Sequence, residues 1–567
     1  MPQRAATFVS AVEPVRTVVE VASRGKLVVG EPYFSPGTPI VLDRKSLRGA
    51  ERGELAVVVS GRGRAKVERV LGPADRIENV LEALLVERGA RWGFEPFDPP
   101  PLTTEGRTDL RELRTFTIDP DTAKDFDDAV SVVREADGVR AWVHIADVSY
   151  FVPGGSPLDR GASQRAFSTY VPGLVAPMLP PELSNDLCSL RPDVDRLCVT
   201  VEIPPGGGEP SFYRSVIRSD ARLTYGQAQR RDVPDGVADE LELAAAYSAD
   251  LRKKRFARGA LRVERPELEF EFDGEGGVAR AFWQGEPEAH ALVEELMIAA
   301  NEAVAELLSS RRREALYRVH ERPDPQAVQL LLAKLAELDV PTPPAPEDLT
   351  AATAARLAAD TSDLVTEYVR RSGRGAEAFP ALVLRSLKQA RYDPRNLGHS
   401  GLATTAYCHF TSPIRRYPDL IVHRALLHEL GATDEPAPQD LGDLAELTSA
   451  REREAAQTEY LADEICLAWL LERQLFERGW DEHWPGEIIG VIPSGLFVRF
   501  GEVFEGYLPA RRLPGDYFEL NDVGTAMSGR RGGRTYRLGD PIEVMVEEIR
   551  RWEGKVEVSL AEGRSTR

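Results

Sequence analysis

The chain has 567 residues, of which 42% are hydrophobic and 29% charged, and its formal net charge is −20 at pH 7. At about 150 residues per domain, this length predicts three or four domains with ample core, and no apolar run is long enough for a membrane span. The acidity disfavours a phosphate-rich partner only weakly, because local fields and bound metal ions decide where phosphate binds.

The first hundred residues predict a small β-rich module. Residues 1–24 have an irregular or partly helical pattern, and short β-rich runs then alternate with turns from Gly25 to about Leu71. Strands at this spacing are typical of a small barrel or of the wing of a winged helix. Residues 74–89 follow as a helix with its apolar side chains on one face: Ile77, Val80, Leu81, Leu84 and Leu85.

The proline-rich stretch FEPFDPPPL, residues 94–102, predicts an extended linker into a large α+β region from about Thr103 to Arg478. The first half of that region is strand-rich, with a hairpin turn at Asp137–Gly138, and its second half is helix-rich. From Trp484 to about Glu562 the pattern returns to short strands and turns. P-loop and Rossmann fingerprints are absent, which removes the commonest nucleotide-cofactor sites.

The stretch TIDPDTAKDFDDAV, residues 117–130, contains five aspartates and Lys124 as its single positive charge. Two like charges about 4 Å apart repel by about 4 kcal/mol near a protein surface. A loop between two strands can direct several carboxylates to one point, where Mg²⁺ accepts oxygen ligands and can activate a water against a phosphodiester. The alternative is a solvated acidic loop or a set of helix-capping aspartates. The five are Asp119, Asp121, Asp125, Asp127 and Asp128.

This motif resembles the signature of the ribonuclease II/R family, the RNB-domain exoribonucleases, and the chain looks closer to ribonuclease II with a shortened N-terminal region. Further blocks resemble that domain in the same order along the chain. They are residues 144–202, 212–227, 293–308, 317–325 and 407–426.

The resemblance implies an α+β multidomain fold. We expect an N-terminal RNA-binding module over residues 1–98, either a reduced cold-shock-like OB-type barrel or a winged helix-turn-helix. An RNB catalytic domain over 99–480 and a C-terminal S1 domain, an OB-fold barrel, over 481–567 would follow. The implied activity is processive 3′-to-5′ hydrolysis of single-stranded RNA to 5′-nucleoside monophosphates, with one or two Mg²⁺ ions for which Mn²⁺ can substitute.

The resemblance also assigns the site residues. Four aspartates match the family's metal-binding positions: Asp119, Asp125, Asp127 and Asp128. Asp127, Asp128 and Arg415 match catalytic positions, and Asp121 falls where the motif fixes nothing. The expected RNA-binding residues are Tyr170, Tyr225, Glu294, Arg415 and Glu459 in the RNB domain, and Phe497 and Phe504 in the S1 domain.

Two departures from the family pattern stand out. Ribonuclease II has a phenylalanine that clamps the 3′ bases together with the tyrosine at position 170, whereas here the corresponding stretch has Leu261, Arg262 and Val263. The clamp is then weaker, or Arg262 replaces it. The short N-terminal region, where usual members carry two cold-shock barrels, suggests tolerance of short 3′ overhangs or structured RNA.

The remaining expectations concern partners and compartment. The four cysteines form no CxxC pair, which disfavours structural zinc and fits a reducing cytoplasm. The N-terminus lacks the apolar segment of a secretory signal. We expect a cytoplasmic monomer that binds RNA 3′ ends, without a membrane or nucleotide cofactor. The alternatives are an RNB-fold RNA-binding protein without activity and a metal-dependent phosphatase acting on small molecules.

Overall fold

The computed structural model describes residues 16–59, 63–262, 267–285, 287–346, 348–531 and 533–561. Its first unit is an antiparallel sheet followed by a helix. The bounds are β1 Arg16–Arg24, β2 Leu27–Pro32, β3 Ile40–Val41, β4 Glu54–Val59, β5 Lys66–Pro73 and α1 Ile77–Glu87.

The strand order of this sheet is β3-β2-β1-β4-β5, and its two edges meet. Leu42 pairs in parallel with Ala65, where the Asp43 N–H donates to the Ala65 carbonyl at 2.8 Å and the Ala65 N–H to the Val41 carbonyl at 3.0 Å. The irregular or helical conformation predicted for residues 16–24 is wrong, because β1 pairs on both sides; residues 1–15 lie outside the described residues. The predicted helix is confirmed, with its apolar face buried.

Residues 90–107 carry no strand or helix, as the proline-rich linker predicts. A seven-stranded sheet follows, in the order β14-β7-β8-β9-β12-β13-β6. Its strands are β6 Thr108–Asp109, β7 Phe116–Asp119, β8 Asp128–Glu135, β9 Gly138–Ala146, β12 Asp195–Ile203, β13 Ser211–Arg218 and β14 Ala221–Thr224. The predicted hairpin joins β8 to β9, with Glu135 opposite Gly138.

A buried row of polar side chains crosses this sheet. Thr115 and Ser131 hydroxyls lie 2.8 Å apart, and the His144 ring bonds Ser131 at 3.1 Å and Thr200 at 2.9 Å. Thr200 continues the row to Ser215 at 2.6 Å. Each polar group finds a partner on the neighbouring strand, which offsets the cost of burying it.

Helices and short hairpins surround the sheet. The first group is α2 Val148–Phe151, α3 Pro157–Arg165, β10 Thr169–Val171, β11 Leu174–Ala176, α4 Tyr225–Arg230, α5 Asp235–Ala257, β15 Leu268–Phe272 and β16 Val278–Trp283. The second group is α6 Pro287–Ser310, β17 Tyr317–Val319, α7 Pro325–Glu337, α8 Ala351–Ser372, α9 Ala378–Arg385, β18 Arg391–Asp393, α10 Tyr417–Glu429 and α11 Leu441–Arg478.

The C-terminal unit is a closed barrel in the order β19-β20-β21-β26-β25, with a three-stranded sheet, β22-β23-β24, inserted. Its strands are β19 Trp484–Ile492, β20 Gly495–Phe500, β21 Phe504–Pro509, β22 Phe518–Leu520, β23 Ala526–Gly529, β24 Thr535–Arg537, β25 Pro541–Arg550 and β26 Lys555–Leu560. The predicted short strands are thus confirmed. Among the described residues, no helix is long and apolar enough to cross a membrane.

Candidate active site

The aspartate-rich loop connects two strands that separate. β7 and β8 pair at Phe116 and Val130, and the chain between Asp119, the last residue of β7, and Asp128, the first of β8, leaves the sheet. Ser189 fixes this loop: its hydroxyl accepts from the Phe126 N–H at 3.1 Å and donates to the Lys124 carbonyl at 2.8 Å. Both ends of the loop and its middle face one cavity of about 2590 Å³.

The charges of these carboxylates are poorly compensated. Burial raises the pKa of Asp119 to about 7, and repulsion from Asp128 adds to the shift. Burial also raises the pKa of Asp128 to about 6, against the attraction of two arginines. Asp127 is 3% exposed, and burial raises its pKa well above the ordinary value although the Ile414 N–H donates to its Oδ1 at 2.8 Å.

The donor set fits a hard cation. The buried oxygens Asp119 Oδ2 and Asp127 Oδ2 have no hydrogen-bond partner, which normally costs about 1–3 kcal/mol or more for a charged group. Within the described part of the chain, no three carboxylate, histidine or cysteine groups already stand in a closed ligand cluster. Mg²⁺ keeps several waters and binds through few carboxylates, so it does not need a closed cluster of protein ligands.

The adjacent arginines 415 and 416 point to different partners. Arg415 lies in the cavity with Nε 3.4 Å from Asp127 Oδ2, and its Nη2 donates to the Ser412 hydroxyl at 3.2 Å. Arg416 forms a bidentate pair with buried Asp419 at the start of α10. Arg415, for which the resemblance implies a phosphate contact, is thus not engaged in the Asp419 pair.

Tyr170 connects the aspartates to α11. Its hydroxyl donates to Asp125 Oδ2 at 2.6 Å, and its backbone N–H donates to Glu459 Oε1 at 2.8 Å. Burial and the neighbouring Asp125 charge raise the pKa of Tyr170, so it keeps its proton. Glu459 of α11 therefore lies in the same cavity as the aspartates.

Tyr225 and Glu294 line the same cavity. Tyr225 is the first residue of α4, whose start is fixed by a capping box between Thr224 and Gln227. Its ring stacks on His290 of α6 with centroids 3.5 Å apart. Glu294 follows one turn after His290, with Oε1 3.5 Å from Arg255 Nη2.

The two aromatic residues predicted in the C-terminal barrel, Phe497 and Phe504, differ in how far they are buried. Phe497 is 40% exposed and lies beside Tyr507, with ring centroids 5.4 Å apart. Phe504 is 2% exposed and packs against Trp484 and Phe500 in the barrel core. The Phe504 side chain is thus mostly covered in this structure, and the stacking of RNA bases on it stays a prediction.

Arg262 does not replace the missing aromatic at the base clamp. Its guanidinium lies 4.4 Å from the Phe256 ring centroid and pairs with Asp363 at 3.1 Å. Leu261 donates its N–H to the Gly401 carbonyl, and Val263 lies outside the described residues. Phe270 and Trp283 of the β15–β16 hairpin line the cavity instead.

Other residues of the cavity wall were not predicted from the sequence. His290 and Asn301 share the inward face of α6 with Glu294, which helical spacing could have shown. Asp463 and Glu464 follow Glu459 on α11, and burial raises the pKa of each to about 7. Trp92 and Phe94 of the linker also reach the cavity, a contact that no local pattern indicates.

Comparisons with known proteins match two parts of the chain to domain families. The RNB domain model matches residues 107–432 and the S1 RNA binding domain model matches residues 481–561. Ribonuclease R of Escherichia coli is 38% identical over 486 residues, covering 80% of this chain but 57% of that protein. Ribonuclease R of Vibrio parahaemolyticus is 34% identical over 605 residues, covering 96% of this chain and 69% of that protein.

Solved structures show the same fold. Mycoplasma genitalium RNase R in complex with ribose methylated single-stranded RNA superposes with a TM-score of 0.84 at 25% identity, covering 97% of this chain and 90% of that one. Yeast Ssd1, a pseudonuclease, has a TM-score of 0.68 at 17% identity, covering 91% of this chain and 67% of that one, and shows the fold alone.

Proposed function

Because the chain belongs to the RNB-domain family of ribonucleases, we propose that it is a hydrolytic 3′-to-5′ exoribonuclease that degrades single-stranded RNA processively to 5′-nucleoside monophosphates. The sequence pointed towards ribonuclease II, whereas the relatives compared above are ribonuclease R proteins. We therefore base the proposal on the ribonuclease R branch. The observation that carries it is the convergence of four aspartates and Arg415 on one cavity.

The aspartates at 119, 125, 127 and 128 would hold one or two Mg²⁺ ions, with Mn²⁺ as a substitute. Bound there, the metal supplies Lewis-acid activation of a water and of the scissile phosphodiester. The buried Asp119 Oδ2 and Asp127 Oδ2, which accept no hydrogen bond, support this assignment. Asp121, which is exposed, has no part in it.

The protein's own groups then bind and orient the RNA end. The Arg415 guanidinium offsets charge on the phosphoryl oxygens, an electrostatic role in a site partly shielded from water. Tyr170 offers a ring face to a terminal base, and Glu294 and Glu459 offer carboxylates to ribose hydroxyls, which RNA has and DNA lacks at the 2′ position. Tyr225 and Phe497 extend the contacts to bases farther from the end.

The N-terminal unit is proposed to be a reduced OB-type barrel over residues 1–98. Its described strands follow a closed order in which β3 meets the β5 side in parallel through Leu42 and Ala65, as in OB folds. A single helix, α1, follows these strands, whereas a helix-turn-helix needs two. The linker after α1 and the end of α11 at Arg478 support domain limits at 99–480 and 481–567.

The protein is proposed to accept structured RNA and RNA with short 3′ overhangs. Mycoplasma genitalium RNase R, similar in fold, has been solved with double-stranded RNA. The four cysteines are free and buried, which supports a cytoplasmic location.

Incubation with 5′-labelled single-stranded RNA in Mg²⁺ tests the proposal. We expect a ladder shortening from the 3′ end, a 5′-phosphate on each released nucleotide and no reaction in EDTA. Asp127→Asn should abolish hydrolysis and retain RNA binding, because it keeps the side-chain size and removes the charge. Asp121→Asn is the matched control and should cut normally. RNA binding without cleavage by the unmodified protein would identify it instead as an inactive RNB-fold protein.

A further inference from the structure

The hairpin of β10 and β11 touches three parts of the proposed site through one short strand. Besides the two hydrogen bonds of Tyr170, the Ser168 N–H donates to the Arg415 carbonyl at 2.9 Å. Tyr170 pairs with Val175 on β11. The position of the Tyr170 ring is therefore set by backbone contacts, independently of any RNA.

We propose that the Tyr170 hydroxyl is a positioning group for Asp125, holding its carboxylate in the orientation that binds the metal ion. The inference rests on the proposed function and deepens it, because the resemblance assigns Tyr170 a base contact and nothing else. The residue that stacks on the terminal nucleotide would then also organise the metal site.

The geometry of the bond carries the argument. At 2.6 Å, the Tyr170 Oη to Asp125 Oδ2 distance falls in the range of charge-assisted O–H···O⁻ bonds. A neutral donor fixes a carboxylate without cancelling its negative charge. The positive charge of an arginine partner would instead compete with a metal cation for that carboxylate. Such a donor engages one oxygen and leaves the other available as a ligand.

The aspartates are held differently from one another. Asp127 is fixed by the Ile414 N–H and approached by Arg415, and Asp119 is half-buried at the end of β7. Asp125, like Asp127, lies in the loop outside both strands, so its side chain depends on a tertiary contact, and the Tyr170 hydroxyl supplies one. Groups that hydrogen-bond to metal ligands typically contribute 10–100-fold to metal affinity.

Tyr170→Phe is the decisive variant because it keeps the ring and the backbone contacts and removes the hydroxyl. We expect Mn²⁺ affinity, measured by the electron paramagnetic resonance signal of free Mn²⁺, to fall about tenfold. Affinity for a fluorescent oligoribonucleotide in EDTA should stay within about twofold, since the stacking surface is intact. The Mg²⁺ concentration for half-maximal hydrolysis should rise in parallel with the Mn²⁺ dissociation constant.

Tyr213→Phe is the matched control. Tyr213 also donates to a carboxylate, Glu202 Oε2 at 2.8 Å, but it does not line the cavity. Its loss should leave Mn²⁺ affinity unchanged. In an Asp125→Asn background, Tyr170→Phe should have no further effect on Mn²⁺ affinity, because the group it positions is no longer a charged ligand.

Unchanged Mn²⁺ affinity in Tyr170→Phe would overturn the proposal, and so would an undiminished effect in the Asp125→Asn background. A protein that binds Mn²⁺ but leaves RNA intact would refute the proposed function alone, and the Mn²⁺ titration would still decide the role of Tyr170. A protein that binds no Mn²⁺ would refute the positioning role.

Discussion

Arg416 and Asp419 form a two-pronged ion pair across the first turn of α10, with Nε 3.0 Å from Oδ2 and Nη2 2.7 Å from Oδ1. Asp419 is fully buried and also accepts from the Ser412 N–H at 2.8 Å. Arg415 instead reaches into the cavity beside Asp127. One arginine of the pair therefore holds the loop, and the other is available to substrate.

Lysine substitutions separate these two roles. Arg415→Lys should lower kcat by about 10²-fold with an unchanged melting temperature, because one preorganised donor to the phosphoryl oxygens is lost. Arg416→Lys should lower the free energy of unfolding by about 3 kcal/mol, since a buried pair loses its geometry. Single-turnover hydrolysis and urea denaturation measure the two effects. An equal loss of unfolding free energy in Arg415→Lys and Arg416→Lys would contradict this division of roles.

Phe497 and Phe504 should also behave as opposites. Phe497→Ala should weaken RNA binding by about 1–3 kcal/mol through lost stacking and leave stability nearly unchanged. Phe504→Ala should destabilise the C-terminal barrel by about 3–5 kcal/mol, because it opens a cavity in the core. Fluorescence anisotropy and thermal denaturation distinguish them. A stable Phe504→Ala protein with weakened RNA binding would instead favour the prediction that Phe504 stacks on RNA bases.

Glu294 and Glu295 are neighbours on α6 with different surroundings. Glu295 is 2% exposed and accepts from Arg255 Nε at 3.0 and 3.1 Å, whereas Glu294 faces the cavity. Glu295→Gln should cost about 3 kcal/mol of stability, because the buried Arg255 charge keeps only its 3.5 Å contact with Glu294. Glu294→Gln should keep the stability and reduce discrimination between RNA and DNA 3′ ends. Competition assays with oligonucleotides ending in a single deoxynucleotide measure that discrimination.

The buried polar row predicts a pH dependence of stability. Burial lowers the pKa of His144 from 6.5 to about 3. The unfolded state therefore binds a proton that the folded state does not, so this stability is complete above about pH 6.5 and is lost as pH falls towards 3. The loss is about 1.4 kcal/mol per pH unit. His144→Gln should flatten urea-unfolding profiles between pH 7 and 5, whereas exposed His483→Gln should not.

RNA hairpins with short 3′ tails test the proposed tolerance of structured RNA. We expect degradation to continue close to or into the stem, because Mycoplasma genitalium RNase R, which is similar in fold, has been solved in complex with double-stranded RNA. Product lengths on a sequencing gel give the stopping point, with an unstructured RNA of the same length as the control. Stalling many nucleotides before the stem would count against this expectation.

The chemistry of the site could be predicted from the sequence to a large extent. The aspartates sit within ten residues of one another, so their shared loop is a local property that the strand and turn pattern reveals. The helix at residues 77–87 was equally readable, because its apolar spacing is a local signal. By contrast, β1 was missed because its pairing depends on strands that come later in the chain.

What only the tertiary structure decided is which of two similar neighbours is held by buried partners and which is left more open. Arg415 and Arg416, Glu294 and Glu295, and the two phenylalanines of the C-terminal barrel cannot be separated by residue type. The hydrogen bonds from Tyr170 to Asp125 and Glu459 join residues 45 and 289 positions apart. The sequence by itself determined which chemical groups the candidate site offers, because carboxylates and arginine have fixed chemical properties. The orientation of these groups could not be predicted from the sequence, because their burial and hydrogen bonding depend on packing between distant segments.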